Sequence, residues 1–169
     1  MDKALNGNEI LNLMDDKVNL IQYKDVKNYN TIDDLLGEYK KCVLLYHTSE
    51  DFGHYVCLYK VGETIYFFDS YGFVPDDELN FLPKDLRDDM NSDHRYLTQL
   101  LYKSGKRIEY NQYQLQKKSP KIMTCGRHVV NRLRYPEISI NEYYKIFKES
   151  EKEIPMDKLI VKLVPLPNE

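Results

Sequence analysis

The strongest pattern lies in the middle of the chain. Three runs there are dense in β-branched and aromatic residues: 41–48 (KCVLLYHT), 54–61 (HYVCLYKV) and 64–69 (TIYFFD). Each predicts a strand. Gly62-Glu63 separates the second run from the third, a spacing that predicts a hairpin. On either side the periodicity turns helical. Residues 8–14 (NEILNLM) predict a short helix opened by an asparagine cap. Residues 31–38 (TIDDLLGE) predict another, with Thr31 as cap and acids in the first turn, where they meet the positive end of the helix dipole. Residues 71–92 hold Pro75, Pro83 and many acids, and read as a long loop with at most one helical turn. Tyr96, Leu97, Leu100 and Leu101 then recur at helical spacing up to Gly105.

Residues 107–115 predict a fourth strand with a phase change before Tyr113, and 116–124, with Pro120, a loop. Residues 125–133 predict a helix that buries Val129, Val130 and Leu133. Residues 140–147 predict one opened by Ser139, with Glu142 as the third residue of a capping box. The closing apolar run 158–164 (KLIVKLV) fits strand or helix. Helices at both ends and strands between them predict an α+β fold: a mixed, mostly antiparallel central sheet flanked by helices, in a single domain over residues 1–169.

Composition narrows the class. A chain of 169 residues buries about two-thirds of its unfolded surface and needs no staples. Cys42, Cys57 and Cys125 are odd in number and form no CxxC pair, which argues against a disulfide framework and for a reducing compartment. The first residues lack the basic-then-apolar order of a signal peptide, and no stretch reaches the ~18 apolar residues of a membrane span. The expected setting is soluble and intracellular, with no membrane partner. Tyrosine is abundant at 15 and tryptophan absent, a hint of a surface that touches other molecules. The net charge of −3 hides an asymmetry. Residues 76–93 carry seven acids against two bases, and 94–135 carry ten Lys or Arg against the single acid Glu109. Two solvated faces of opposite sign account for this, as does a basic segment that attracts nucleic acid.

Cysteine nucleophiles need a stabilised thiolate, a base within hydrogen-bond reach and donors facing the developing oxyanion. Cys125, in TCGRHVV, falls at the start of a predicted helix, whose positive end favours a thiolate. Gly126 lets a substrate backbone approach, and Arg127 adds positive charge. A buried, inert cysteine would also fit that position taken alone. His54 opens the second strand and Asp69 closes the third. In an antiparallel hairpin these ends face each other, which is how a carboxylate holds an imidazole in one tautomer. Gln116, nine residues before Cys125, is the candidate oxyanion donor beside the Cys125 N–H. Gln112 and Gln114 are its rivals, and strand alternation places Gln114 and Gln116 on one face. His47 and His128 are rival bases that lack the cross-strand carboxylate. Cys57, His54 and Asp69 lack the paired spacing of zinc sites.

The order His, Asp, Gln, Cys-Gly, carried by GHYVCLY, YFFDSYG, LQ and TCGRHVV over about residues 40–135, resembles the adenain-like and ubiquitin-like-protein-specific cysteine proteases. Papain-like enzymes, with the cysteine first, do not fit. The nearest likeness is to small maturation proteases of virophages, Polinton-like elements and large DNA viruses. The resemblance implies the cysteine-protease fold of that superfamily, with His54 as base, Asp69 as acid, Gln116 as oxyanion donor and Cys125 as nucleophile. It departs from the family at Tyr55, where Trp is frequent, and in a slightly longer Gln-to-Cys interval. It further implies an endopeptidase that cleaves capsid or other virion precursors, in the host cytoplasm, a virus factory or the virion. No cofactor is required, and activation by DNA or a peptide is a family possibility that the basic segment 94–135 would suit. Two other readings share these residues: removal of ubiquitin-like modifiers, and a non-enzymatic nucleic-acid-binding module.

Overall fold

A computed structural model describes residues 3–47, 53–81, 84–85 and 95–166. Thr48, most of the loop before His54 and much of the acidic stretch lie outside the described residues. Five strands form one sheet in the order β1 (Asn19–Gln22), β2 (Lys41–His47), β3 (Gly53–Val61), β4 (Thr64–Phe68) and β5 (Arg107–Tyr110). The antiparallel ladders β2–β3 and β3–β4 are the longer ones and form the centre, and β1 and β5 add to the edges in parallel. The fold is therefore α+β with a mixed sheet. β1 is not legible in the sequence, since four residues at an edge carry little pattern.

β2 and β3 read as unbroken apolar runs because both of their faces are covered. Val43, Leu45, Tyr55, Cys57 and Tyr59 point to one core. Cys42, Leu44, Tyr46, Val56 and Leu58 point to the other. This is the two-residue alternation of a strand, read twice. The first core is closed by α1 (Gly7–Leu13), α4 (Cys125–Arg134), α5 (Ile140–Ser150) and α6 (Met156–Leu163). The second is closed by the 3₁₀ turn Tyr23–Asn28, α2 (Ile32–Leu36) and α3 (Tyr96–Lys103). A truncation such as Leu58→Ala, at a site with no exposure, would cost about 2–5 kcal/mol.

Local chemistry sets the helix ends. α1 is capped by Asn6 rather than Asn8. The Asn6 side chain accepts from the Glu9 N–H, and the Glu9 carboxylate accepts from the Asn6 N–H, so only that spacing satisfies both groups. Thr31 caps α2, and Gly37, with φ of +71°, ends it. Ser139 accepts from the Glu142 N–H at the start of α5. The run KLIVKLV is helical within α6 up to Leu163, and Val164 is its C-cap. β5 stops at Tyr110, short of the expected strand end, because the Asn111 side chain takes over. It donates to the carbonyls of Asp69 and Tyr113 and accepts from the Tyr113 N–H, an Asx-type turn that competes with strand pairing. Among the described residues no helix is long and apolar enough to cross a membrane. The tyrosine excess serves the interior as much as the surface: Tyr23, Tyr46, Tyr55, Tyr59 and Tyr143 are buried.

Candidate active site

His54 and Asp69 meet through strand register. Cys57 pairs with Phe68, so the same register places Asp69 opposite Val56 and makes His54 its diagonal neighbour on that face. Diagonal pairs lie within reach of long side chains. His54 Nε2 and Asp69 Oδ1 are 2.7 Å apart, and both residues are buried. Asp69 also shapes the turn that follows. Its Oδ1 accepts from the Tyr71 N–H at 2.8 Å, and its carbonyl from the Gly72 N–H at 2.8 Å. Gly72 has φ of +83°, and a Cβ there would stand 2.9 Å from the Tyr113 carbonyl oxygen, so only glycine fits. The turn lays the Tyr71 ring on the His54 imidazole, with centroids 4.4 Å apart and planes 13° from parallel.

Cys125 is the first residue of α4, buried to 7 % exposure, and lines the same cavity as His54. With Nε2 committed to Asp69, Nδ1 is the ring nitrogen available to the Cys125 thiol. Burial opposes charge on His54. The Asp69 carboxylate, aided by Cys125, outweighs burial and holds the imidazole well above its ordinary value. Cys42 and Cys57 are wholly buried, and burial pushes both thiols up.

Gln116 hangs from the end of β4. Its N–H and that of Leu115 donate to the Ser70 carbonyl, and its Oε1 accepts from Ser70 Oγ at 2.6 Å. Nε2 donates to the Ile122 carbonyl at 3.1 Å, which leaves the second amide hydrogen for a ligand. A cavity of about 380 Å³ joins His54, Tyr71, Glu78, Gln116 and Cys125. Gln114 faces a different cleft, beside Glu151 and Met156, and Gln112 lies in a third, beside Tyr113 and Asn141.

The rival bases sit elsewhere. His128 is wholly buried against Phe147 and burial pushes it down to about 3, while His47 does not line the cavity. Arg127 reaches toward the C-terminal segment. It is fully buried and donates to the Val164 carbonyl at 2.6 Å. Arg132 is buried too, donating to Tyr59 Oη at 2.7 Å and to the Ile138 carbonyl, its guanidinium 4.4 Å from the Tyr143 ring centre. Two of the ten cations of segment 94–135 are thus structural.

Three further contributors are not marked by the sequence pattern as site residues. Asp157, at the start of α6, accepts from Thr124 Oγ1 at 2.8 Å and from the Lys117 N–H at 3.1 Å. It thereby pins both ends of the loop between Gln116 and Cys125. Tyr71 braces His54. Glu78 sits on the 3₁₀ turn Asp77–Phe81, 8 % exposed, and burial pushes its carboxyl up to about 7. Asp76 anchors that turn, accepting from Tyr46 Oη and from both the N–H and the hydroxyl of Thr98. All three contributors lie far in sequence from the groups they touch, or on a loop whose path only contacts define.

A thiol at a helix start, an imidazole braced by a carboxylate and an amide donor on one cavity form the side-chain set that nucleophilic thiol chemistry requires. No protein-family model matches the chain. The chain is 37% identical over 160 residues to uncharacterized protein V9 of Sputnik virophage, across 93% of its own length and 91% of that protein. It belongs to the family of this virophage protein. It is also similar in structure to the ASFV pS273R protease, with 16% identity and a TM-score of 0.35 over 75% of this chain. The chain spans 43% of the length of that protease, and a likeness at this level bears on no residue's chemistry.

Proposed function

We propose that the chain is a cysteine endopeptidase in which Cys125 is the nucleophile, His54 the general base and acid, Asp69 its orienting carboxylate and Gln116 an oxyanion donor. The observation that carries this reading is the convergence of Cys125, His54 and Gln116 on one cavity, with Asp69 directly behind the imidazole. The Cys125 thiol gives its proton to His54, and the sulfur attacks the peptide carbonyl carbon. The oxyanion is held by the second Gln116 amide hydrogen and the Cys125 N–H, since first-turn N–H groups have no partner within the helix. His54 then protonates the departing amine, and water, deprotonated by His54, hydrolyses the thioester. The substrates in this reading are capsid or other virion precursor proteins. Support for that comes from the residue pattern shared with viral maturation proteases and from a virophage relative.

The test is incubation of the purified chain with a pooled peptide library, read by mass spectrometry. Cleavage that disappears in Cys125→Ser and His54→Ala is expected. Gln116→Ala should lower kcat/KM by about 10²-fold, or ~3 kcal/mol. Iodoacetamide at mildly acidic pH should label Cys125 ahead of Cys42 and Cys57, and the preference should fall in His54→Ala. Cleavage that persists in Cys125→Ser, or labelling of Cys125 that ignores His54, would end the assignment.

A further inference from the structure

Behind the imidazole lies a feature the proteolytic step does not use. His54, Asp69 and Glu78 each bring one ligand atom into a group whose members all lie within 4.8 Å of one another, the one such group among the described residues. Asp69 is engaged with His54 and with the Tyr71 N–H. Glu78 is different. The residue is 8 % exposed, and its Oε2 is shielded from solvent and has no hydrogen-bond partner. A buried carboxylate oxygen left unpaired costs free energy, which a cation or a proton relieves. The turn that carries it is not free to swing the group into water, because Asp76 is tied to Tyr46 and Thr98 on one side and Leu79 is packed in the second core on the other. The cavity lined by His54, Glu78 and Cys125 provides an entry path.

From this arrangement we propose that His54, Asp69 and Glu78 form a site for a divalent transition cation of the zinc type, whose binding takes His54 out of proton transfer. One imidazole nitrogen and two carboxylate oxygens are a donor set that zinc accepts, with the fourth position open to water from the cavity. Ligand atoms on a tetrahedral zinc stand roughly 3.3 Å apart. About 1.5 Å of side-chain movement therefore closes the group. The ion displaces the proton held between His54 Nε2 and Asp69 Oδ1, and that proton leaves to solvent. No bond is made to sulfur, so Cys125 is not a ligand. The site itself stands on the geometry of the three residues. Its consequence, reversible silencing of a peptidase by metal, rests on the proposed function.

The experiment separates the two. Zinc binding is measured by titration calorimetry on Cys125→Ala, which removes the thiol as a competing ligand, and on Cys125→Ala with Glu78→Gln. Thermal melting of both checks that they are folded, and Glu78→Asp serves as a second variant. One zinc per chain is expected in Cys125→Ala, weakened at least about tenfold by Glu78→Gln, the low end of what a lost metal-supporting group costs. No saturable binding to Cys125→Ala, or binding equal in the two proteins, overturns the site. In the chain with its thiol intact, the zinc concentration that halves peptide cleavage should rise at least about tenfold in Glu78→Gln. An unchanged value would mean that zinc acts on the thiol instead. A chain with no peptidase activity that still binds zinc through Glu78 would sink the proposed function and leave the metal site standing.

Discussion

Replacing Asp157 tests whether the loop between Gln116 and Cys125 is held from the C-terminal helix. The carboxylate accepts one bond from the Thr124 hydroxyl at 2.8 Å and one from the Lys117 N–H at 3.1 Å, and it is 7 % exposed. Asp157→Ala removes both acceptors and strands the Thr124 hydroxyl on a residue with no exposure. Unpaired buried donors cost about 1–3 kcal/mol each. Burial pushes the Asp157 carboxyl up, so desolvation already taxes its charge and the loss belongs at the lower end, about 3 kcal/mol for both bonds. For a chain of this length that corresponds to a fall in Tm of roughly 6–12 °C. Asp157→Asn keeps one acceptor oxygen and turns the other position into a donor, so it should retain one bond and lose about half as much. Differential scanning calorimetry at neutral pH reads both. In the folded variants kcat should fall more than KM rises, because Gln116 and Cys125 lose their common anchor. Melting of Asp157→Ala within about 2 °C of the parent would refute the pinning argument. So would an Asn variant as damaged as the alanine.

Other consequences follow from the same contacts. A Cβ on Gly53 would collide with the Tyr46 carbonyl oxygen and stand 2.7 Å from Leu45 Cδ1. Gly53→Ala should therefore cost about 1–3 kcal/mol in urea denaturation and displace His54, and a neutral result would contradict the β2–β3 register. His54 is raised in the folded state, so its ion pair with Asp69 contributes stability that is complete below the unfolded value near 6.5 and is lost as pH rises through the folded value. Asp69→Asn should shift the alkaline limb of kcat/KM to lower pH, and an unmoved limb would count against Asp69 as the group that holds the proton on His54. His128 is lowered to about 3, so between about pH 6.5 and 3 the unfolded chain takes up a proton that the native state refuses. Stability should then fall by up to about 1.4 kcal/mol per pH unit. Both ring nitrogens of His128 lack a partner, so His128→Leu should be near neutral at pH 7 and flatten the acid slope in denaturant titrations at pH 7 and 4.5. Equal slopes in parent and variant would show that the imidazole is not excluded from charging.

The sequence by itself carried the central hairpin, the spans of α2, α3 and α4, and the candidates His54, Asp69 and Cys125. It did so because each leaves a local mark. Apolar runs with a two-residue turn define β3 and β4, Thr31 and Gly37 punctuate α2, and the hairpin alone brings His54 and Asp69 to one end. It could not separate Gln116 from Gln114, since both occupy one alternation phase. The Asn111 turn and the Ser70 bonds break that phase and send only Gln116 into the cavity. Nor could it reveal that Arg127 and Arg132 are interior ties, that β1 and β5 join the sheet in parallel, or that Asp157, Tyr71 and Glu78 surround the site. Those facts depend on partners dozens of residues away or on the path of an irregular loop. Periodicity and turn chemistry act over a few residues, whereas burial, ion pairing and cavity shape arise only when distant segments pack.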